Sequence, residues 1–167
     1  LHVPYQQPDP FVSVIELSVE GSGVSVDSTL AVDPETGIKD LSVKFAVAES
    51  CSIYKSSWME KFGEWKHVYC AGHLNQGGKL TWTVAVSKPG VYHLDIKARG
   101  KGRVVWKAET DEGRAIQNQQ GVSDIFCDRQ IGWISFEKAG THTITVNQLE
   151  GGDVEVSSIT LVPVNFE

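Results

Sequence analysis

The sequence has no apolar run approaching the roughly 20 residues of a membrane-spanning helix. It also lacks a cationic excess: 15 Lys and Arg stand against 21 Asp and Glu, for a formal charge of −6. That balance argues against sequence-independent nucleic-acid binding, which needs a basic face to replace phosphate counterions. It argues equally against a polybasic membrane-surface module. Three cysteines are too few, and odd in number, for a disulfide framework. Cys51, Cys70 and Cys127 read as buried thiols, with a Cys51–Cys70 bridge as the alternative in an oxidising compartment. No repeat of fixed period is present, which sets a propeller aside. The first residue is Leu and no signal-peptide pattern follows it, so an excised or processed piece is expected. A chain of 167 residues needs no metal or disulfide staple to fold.

What is present is period-two alternation. Residues 1–20 read as a linker, rich in proline over 1–11, followed by an opening strand at 12–20; residues 21–167 read as one β-sandwich domain. Leu41, Val43, Phe45 and Val47 share one face of a strand. Residues 50–79 show no clear period, and a short helix over 56–62 is the local expectation. From there the pattern is plain. Leu80, Trp82, Val84 and Val86 make one apolar face; Tyr92, Leu94, Ile96 and Ala98 make the next. Ser87-Lys88-Pro89-Gly90, Gly100-Lys101-Gly102 and Asp111-Glu112-Gly113 are turns between strands. Residues 114–117 read as a short strand and 118–130 as a polar loop. Ile134 and Phe136, then Ile144 and Val146, mark two more strands joined at Lys138-Ala139-Gly140, and Val154–Val164 is the last. Many short strands, each apolar on one face, predict an all-β sandwich. The expected core is Trp82, Tyr92, Leu94, Ile96, Ile134, Phe136, Ile144, Val146, Ile159 and Leu161, with Trp106 beside it and Trp133 out of phase.

Three stretches carry a likeness: TWTVAVSKPGVYHLDIKARG, GWISFEKAGTHTITV and VEVSSITLVPV. Together they resemble the galactose-binding-like jelly rolls, including carbohydrate-binding modules of families six and thirty-five. The opening PDPFVSVIELSVEG resembles the stretch where bacterial α-L-fucosidases leave their catalytic barrel for a C-terminal β-sandwich. The likeness implies a non-catalytic accessory domain of a secreted or periplasmic glycoside hydrolase, with a glycan and the catalytic domain as partners. A structural domain that packs on the catalytic domain without binding sugar is the alternative, and a stand-alone lectin-like module is a third. The likeness also implies a structural calcium, with Glu49 matching the early-strand ligand and Asp153 or Glu155, with backbone carbonyls, as the candidate second one. Ser157 and Ser158 stand where the closing strand of such modules carries an acid.

Strand parity locates a ligand end independently of family. Connections alternate between the two ends of a sandwich, and one end collects residues 50–79 and 118–130. A sugar asks for a flat aromatic under its apolar face and planar polar groups for its hydroxyls. Trp58 and Trp65 are the candidate platforms, with Tyr54 nearby. Asn75, Arg114, Asn118, Asp124 and Arg129 are the candidate hydroxyl partners. His67, Cys70 and His73 have zinc-ligand chemistry, but on a strand His67 and Cys70 face opposite sides. No nucleophile-elbow motif is present, and the acidic turn pairs Asp111/Glu112 and Glu150/Asp153 read as solvated. No catalytic residue is therefore assigned.

Overall fold

A computed structural model describes residues 30–35, 39–59 and 61–164. The expected linker and strand of residues 1–20 lie outside them. The described residues form twelve strands: β1 Leu30–Val32, β2 Lys39–Ser42, β3 Val47–Glu49, β4 Ser52–Met59, β5 Trp65–Gly72, β6 Lys79–Val86, β7 Gly90–Gly100, β8 Gly102–Thr110, β9 Ala115–Val122, β10 Cys127–Phe136, β11 Gly140–Gly151 and β12 Val154–Pro163. One sheet runs β1-β6-β11-β8-β9, with β3 also on β6; the other runs β10-β7-β12-β5-β4, with β2 also on β12. The two sheets face each other as a jelly-roll sandwich.

The apolar alternation decides which face turns inward. β6 buries Leu80, Trp82, Val84 and Val86, and β7 buries Tyr92, Leu94, Ile96 and Ala98. All ten expected core residues are buried, and so is Trp106. Each large side chain removed from water stabilises the fold by roughly 1.5–3 kcal/mol. Trp82 keeps its polar edge satisfied by donating from Nε1 to the Ser42 carbonyl at 3.0 Å. The rings of Tyr92 and Phe136 meet edge to face, with centroids 5.9 Å apart.

Several local expectations need correction. Leu41, Val43, Phe45 and Val47 do not share a strand face, because Val43–Phe45 is a 3₁₀ turn between β2 and β3 that leaves Phe45 and Val47 exposed. Residues 56–62 are not helical; Ser56–Met59 belongs to β4, which pairs with β5 in a hairpin. Residues 118–130 are not a loop, because Asn118–Val122 continues β9 and Cys127–Gln130 opens β10. The polar residues of 118–130 hide these strands because they lie at exposed sheet edges, where no apolar face is required. Strands joined at 87–90 and at 138–140 do not pair with each other. β6 and β7 belong to different sheets, as do β10 and β11. Those turns are arches across the sandwich rather than hairpins. Asn118 Nδ2 donates to the carbonyls of Ile131 at 3.0 Å and Gln130 at 3.2 Å, and Gln120 Nε2 donates to Gln130 as well. These bonds clasp the β9 edge of one sheet to the β10 edge of the other, which protects both edges from foreign strands.

One topological detail shapes the surface. β5 pairs with β12 only at Ala71 opposite Val156. From Ser158 onward that side of β12 is taken by β2. A bulge between Val156 and Ser158 bends β12 at the same point. The β4–β5 hairpin therefore leaves the sheet early and leans over its outer face.

Candidate functional site

The outer row of β7 holds His93, Asp95, Lys97 and Arg99, because Leu94, Ile96 and Ala98 between them face the core. On β12, Glu155 points outward by the same alternation between Val154 and Val156. A groove of about 520 Å³ opens over this row. Lys97, Arg99 and Ser157 form its floor; Trp58 and Val68 of the hairpin form one wall. The short connection after β9 supplies the other wall with Asp124, Ile125 and Phe126. A smaller recess of about 260 Å³ adjoins it, sharing Arg99 and Asp124 and reaching Asp153. The larger groove falls within the about 300–1,000 Å³ usual for small-ligand sites.

Its polar groups are held in place before any ligand arrives. Arg99 Nε donates to one carboxylate oxygen of Glu155, and the Tyr54 hydroxyl donates to the other. The guanidinium carbon also sits 4.7 Å from the centroid of the Phe126 ring. Among the described residues the terminal nitrogens of Arg99 make no hydrogen bond, so its fork is free for a ligand. The Arg99 bond holds the Glu155 carboxyl below its ordinary pKa, and Glu155 in turn raises that of Arg99. Burial, reinforced by the bond to Glu155, pushes the Tyr54 phenol far up, so it remains a donor at any ordinary pH. Burial likewise pushes the Cys70 thiol up to about 11, which leaves it an inert thiol behind the hairpin. Lys97 is tied to Asp128 at 3.5 Å.

The predicted site residues divide. Tyr54, Trp58 and Asp124 gather around this groove. Trp65 lies at the hairpin tip and opposes Met59 while Trp58 opposes Lys66, so the two tryptophans face opposite sides. Arg114 pairs with Glu137 at 2.5 Å, where the β8–β9 and β10–β11 connections meet at the other end of the sandwich. Asn118 is committed to the edge clasp. Asn75 sits in a single 3₁₀ turn between β5 and β6. Arg129 is an exposed position on β10, paired with Ile96 of β7. Among the candidate metal ligands, Glu49 lies on β3 opposite Lys79, and Asp153 stands 4.0 Å from His73. No group of three His, Cys, Asp or Glu side chains gathers around one point among the described residues. His67 bonds Ser57 at 2.7 Å, away from Cys70, and all three cysteines are free thiols, with Cys70 buried and Cys51 and Cys127 partly so.

The floor residues were missed by the sequence reading, which looked for a ligand in loops. The signal was present: with Ile96 and Ala98 assigned to the core, Lys97 and Arg99 must face outward. What the sequence does not show is that a hairpin covers that face.

No family model matches the chain, and no curated protein matches it. Solved structures do. A β-(1,4)-mannanase from Podospora anserina described as GH26-CBM35 superposes with TM-score 0.63 and 17% identity, over 78% of this chain and 28% of that one. The C-terminal CBM6 of a marine laminarinase from Zobellia galactanivorans superposes with TM-score 0.53 and 10% identity, over 75% of this chain and 98% of that one. A Cry1Da core variant from Bacillus thuringiensis gives TM-score 0.61 and 15% identity, over 83% of this chain and 25% of that one. The chain thus spans about a quarter of the mannanase and the toxin, but nearly the whole CBM6 domain. At these identities the likeness establishes the all-β jelly-roll fold.

Proposed function

We propose that this chain is a carbohydrate-binding jelly-roll domain whose ligand lies in the groove between Trp58 and the connection at 124–126. One observation carries the reading: an exposed tryptophan stands over a half-buried arginine that a carboxylate and a tyrosine hold in place. A sugar ring on the Trp58 face presents its apolar C–H groups to the indole and its rim hydroxyls to Arg99 and Asp124. The aromatic supplies area at low entropic cost, and the pinned fork supplies orientation without reordering. No groove residue forms a nucleophile–base pair or a recognisable acid–base pair, so the domain holds a glycan for another active site rather than cleaving it. The likeness to the GH26-CBM35 mannanase and to the CBM6 domain of the laminarinase supports an accessory role. Parentage in a secreted or periplasmic bacterial α-L-fucosidase rests on the opening PDPFVSVIELSVEG alone. The reading uses no metal ion.

The test is titration calorimetry with a panel that includes L-fucose, galactose, mannan and laminarin oligomers. Binding of at least one, lost in Trp58→Ala and kept in Trp65→Ala, is expected. A panel that fails to bind, or binding indifferent to Trp58, overturns the reading.

A second reading has its own observation. Met59, Phe62 and Trp65 expose apolar side chains around the hairpin tip, with Phe62 fully exposed. A patch of this kind suits burial against a neighbouring protein domain. Under this reading the hairpin tip, and not the groove, meets the neighbouring domain.

A further inference from the structure

The outer row of β7 does not end at Lys97. Past the reach of the hairpin it continues to Asp95 and His93, and Trp133 of β10 lies directly opposite His93. Trp133 is 53% exposed, and its ring meets His93 edge to face at 5.0 Å. Gln130 bonds the Nδ1 of His93 through its side-chain amide, which fixes the imidazole against the indole. Asp95 lies between this group and the groove. It is half-buried on the sheet and makes no hydrogen bond or ion pair among the described residues. Burial raises its pKa, with the nearby Asp128 adding to the rise and His93 opposing it. A half-buried carboxylate that no hydrogen bond engages among the described residues, next to an exposed and oriented tryptophan, offers an acceptor for hydroxyl donors beside an apolar ring face. Nothing in the core requires either, since both point away from it.

We infer that Trp133 and Asp95 form a second sugar subsite on the same sheet face, with His93 and Gln130 holding the indole in place. The inference rests on the groove reading and deepens it by naming the ligand class. From Arg99 to His93 the strand rises by about 20 Å, at roughly 3.3 Å per residue. One monosaccharide in the groove cannot reach that far, nor can a disaccharide. The ligand is an extended oligosaccharide that starts under Trp58, crosses Lys97 and Asp95, and ends on Trp133.

The probes are matched dimers and hexamers of β-(1,4)-glucose, β-(1,4)-mannose and β-(1,3)-glucose, titrated against the whole chain. At least one hexamer is expected to bind tenfold or more tightly than its dimer. Trp133→Ala should erase that length gain and leave dimer affinity unchanged; Trp133→Tyr should restore part of it. Far-ultraviolet circular dichroism and the melting temperature check that both variants fold. Asp95→Asn should lower hexamer affinity without touching the dimer. A dimer as tight as its hexamer, or a length gain that survives Trp133→Ala, overturns the subsite and leaves the groove reading standing. No binding by any of these probes overturns the subsite alone; dimer affinity indifferent to Trp58→Ala overturns the groove reading with it.

Discussion

At the residue scale, geometry sorts the five tryptophans by the direction of one bond each. Trp82 and Trp106 point between the sheets, Trp58 and Trp133 point to the outer face of one sheet, and Trp65 sits at a hairpin tip. Residue type alone cannot make this division, because alternation turns a shift of one position into a change of face. Trp58→Ala should weaken glycan binding by about 1–3 kcal/mol, the worth of one well-placed aromatic contact. Trp65→Ala should leave it unchanged; calorimetry on the two variants reads the difference. The Arg99–Glu155–Tyr54 group carries a pH signature. Glu155 has a folded pKa below its ordinary 4.5, so its contribution to stability is present above that value and fades as pH falls through the lower, folded one. Thermal melts between neutral and acidic pH should therefore show a loss of stability below about pH 4.5 that is shallower in Glu155→Gln. An equally steep loss in that variant would assign the acid sensitivity to other carboxylates.

Among the elements, the β4–β5 hairpin and the β9–β10 clasp decide the shape of the surface. The hairpin is held to β12 by a single register pair, whereas β7 pairs along most of its length with both β10 and β12. Local opening follows the number of bonds and buried contacts that must break. Amide hydrogen exchange should accordingly be faster over residues 65–69 than over 92–98, and a saturating glycan should slow it in the hairpin. The clasp depends on Asn118, whose amide satisfies two carbonyls at once. Asn118→Ala should cost about 1–2 kcal/mol of stability, from lost bonds to partly buried carbonyls, without changing glycan affinity. A loss of affinity at unchanged stability would return Asn118 to the binding site. Gly151 has φ +115°, and a Cβ there would lie 2.5 Å from the Arg103 carbonyl oxygen. The bulged end of β11 thus needs glycine for both backbone conformation and space.

For the whole molecule, the sandwich is stable because two apolar faces meet, with no metal or disulfide in the account. Trp82→Ala empties one of the two largest side-chain volumes of the core and should cost about 3–5 kcal/mol, measurable by urea unfolding. Calcium is the open expectation at this scale. With Glu49 and Asp153 outside any cluster of three ligands among the described residues, chelation should leave the melting temperature unchanged. A rise of several degrees on adding calcium would show that these acids and nearby carbonyls form a site after all.

The all-β class and its core were legible in the sequence, because burial of one face forces period-two alternation and nothing else is needed to read it. Tyr92, Leu94 and Ile96 declare the inner face of β7, and by the same count Lys97 and Arg99 declare the outer one. β9 and the start of β10 were not legible. Asn118, Gln119 and Gln120 are strand residues at an exposed edge, where the ladder of backbone bonds holds the strand and no apolar side chain reports it. The groove was legible only in its parts. That Trp58 belongs over Arg99 follows from β5 losing β12 after one residue pair and β2 taking its place. That exchange is settled by pairing between segments more than eighty residues apart, and no local pattern encodes it.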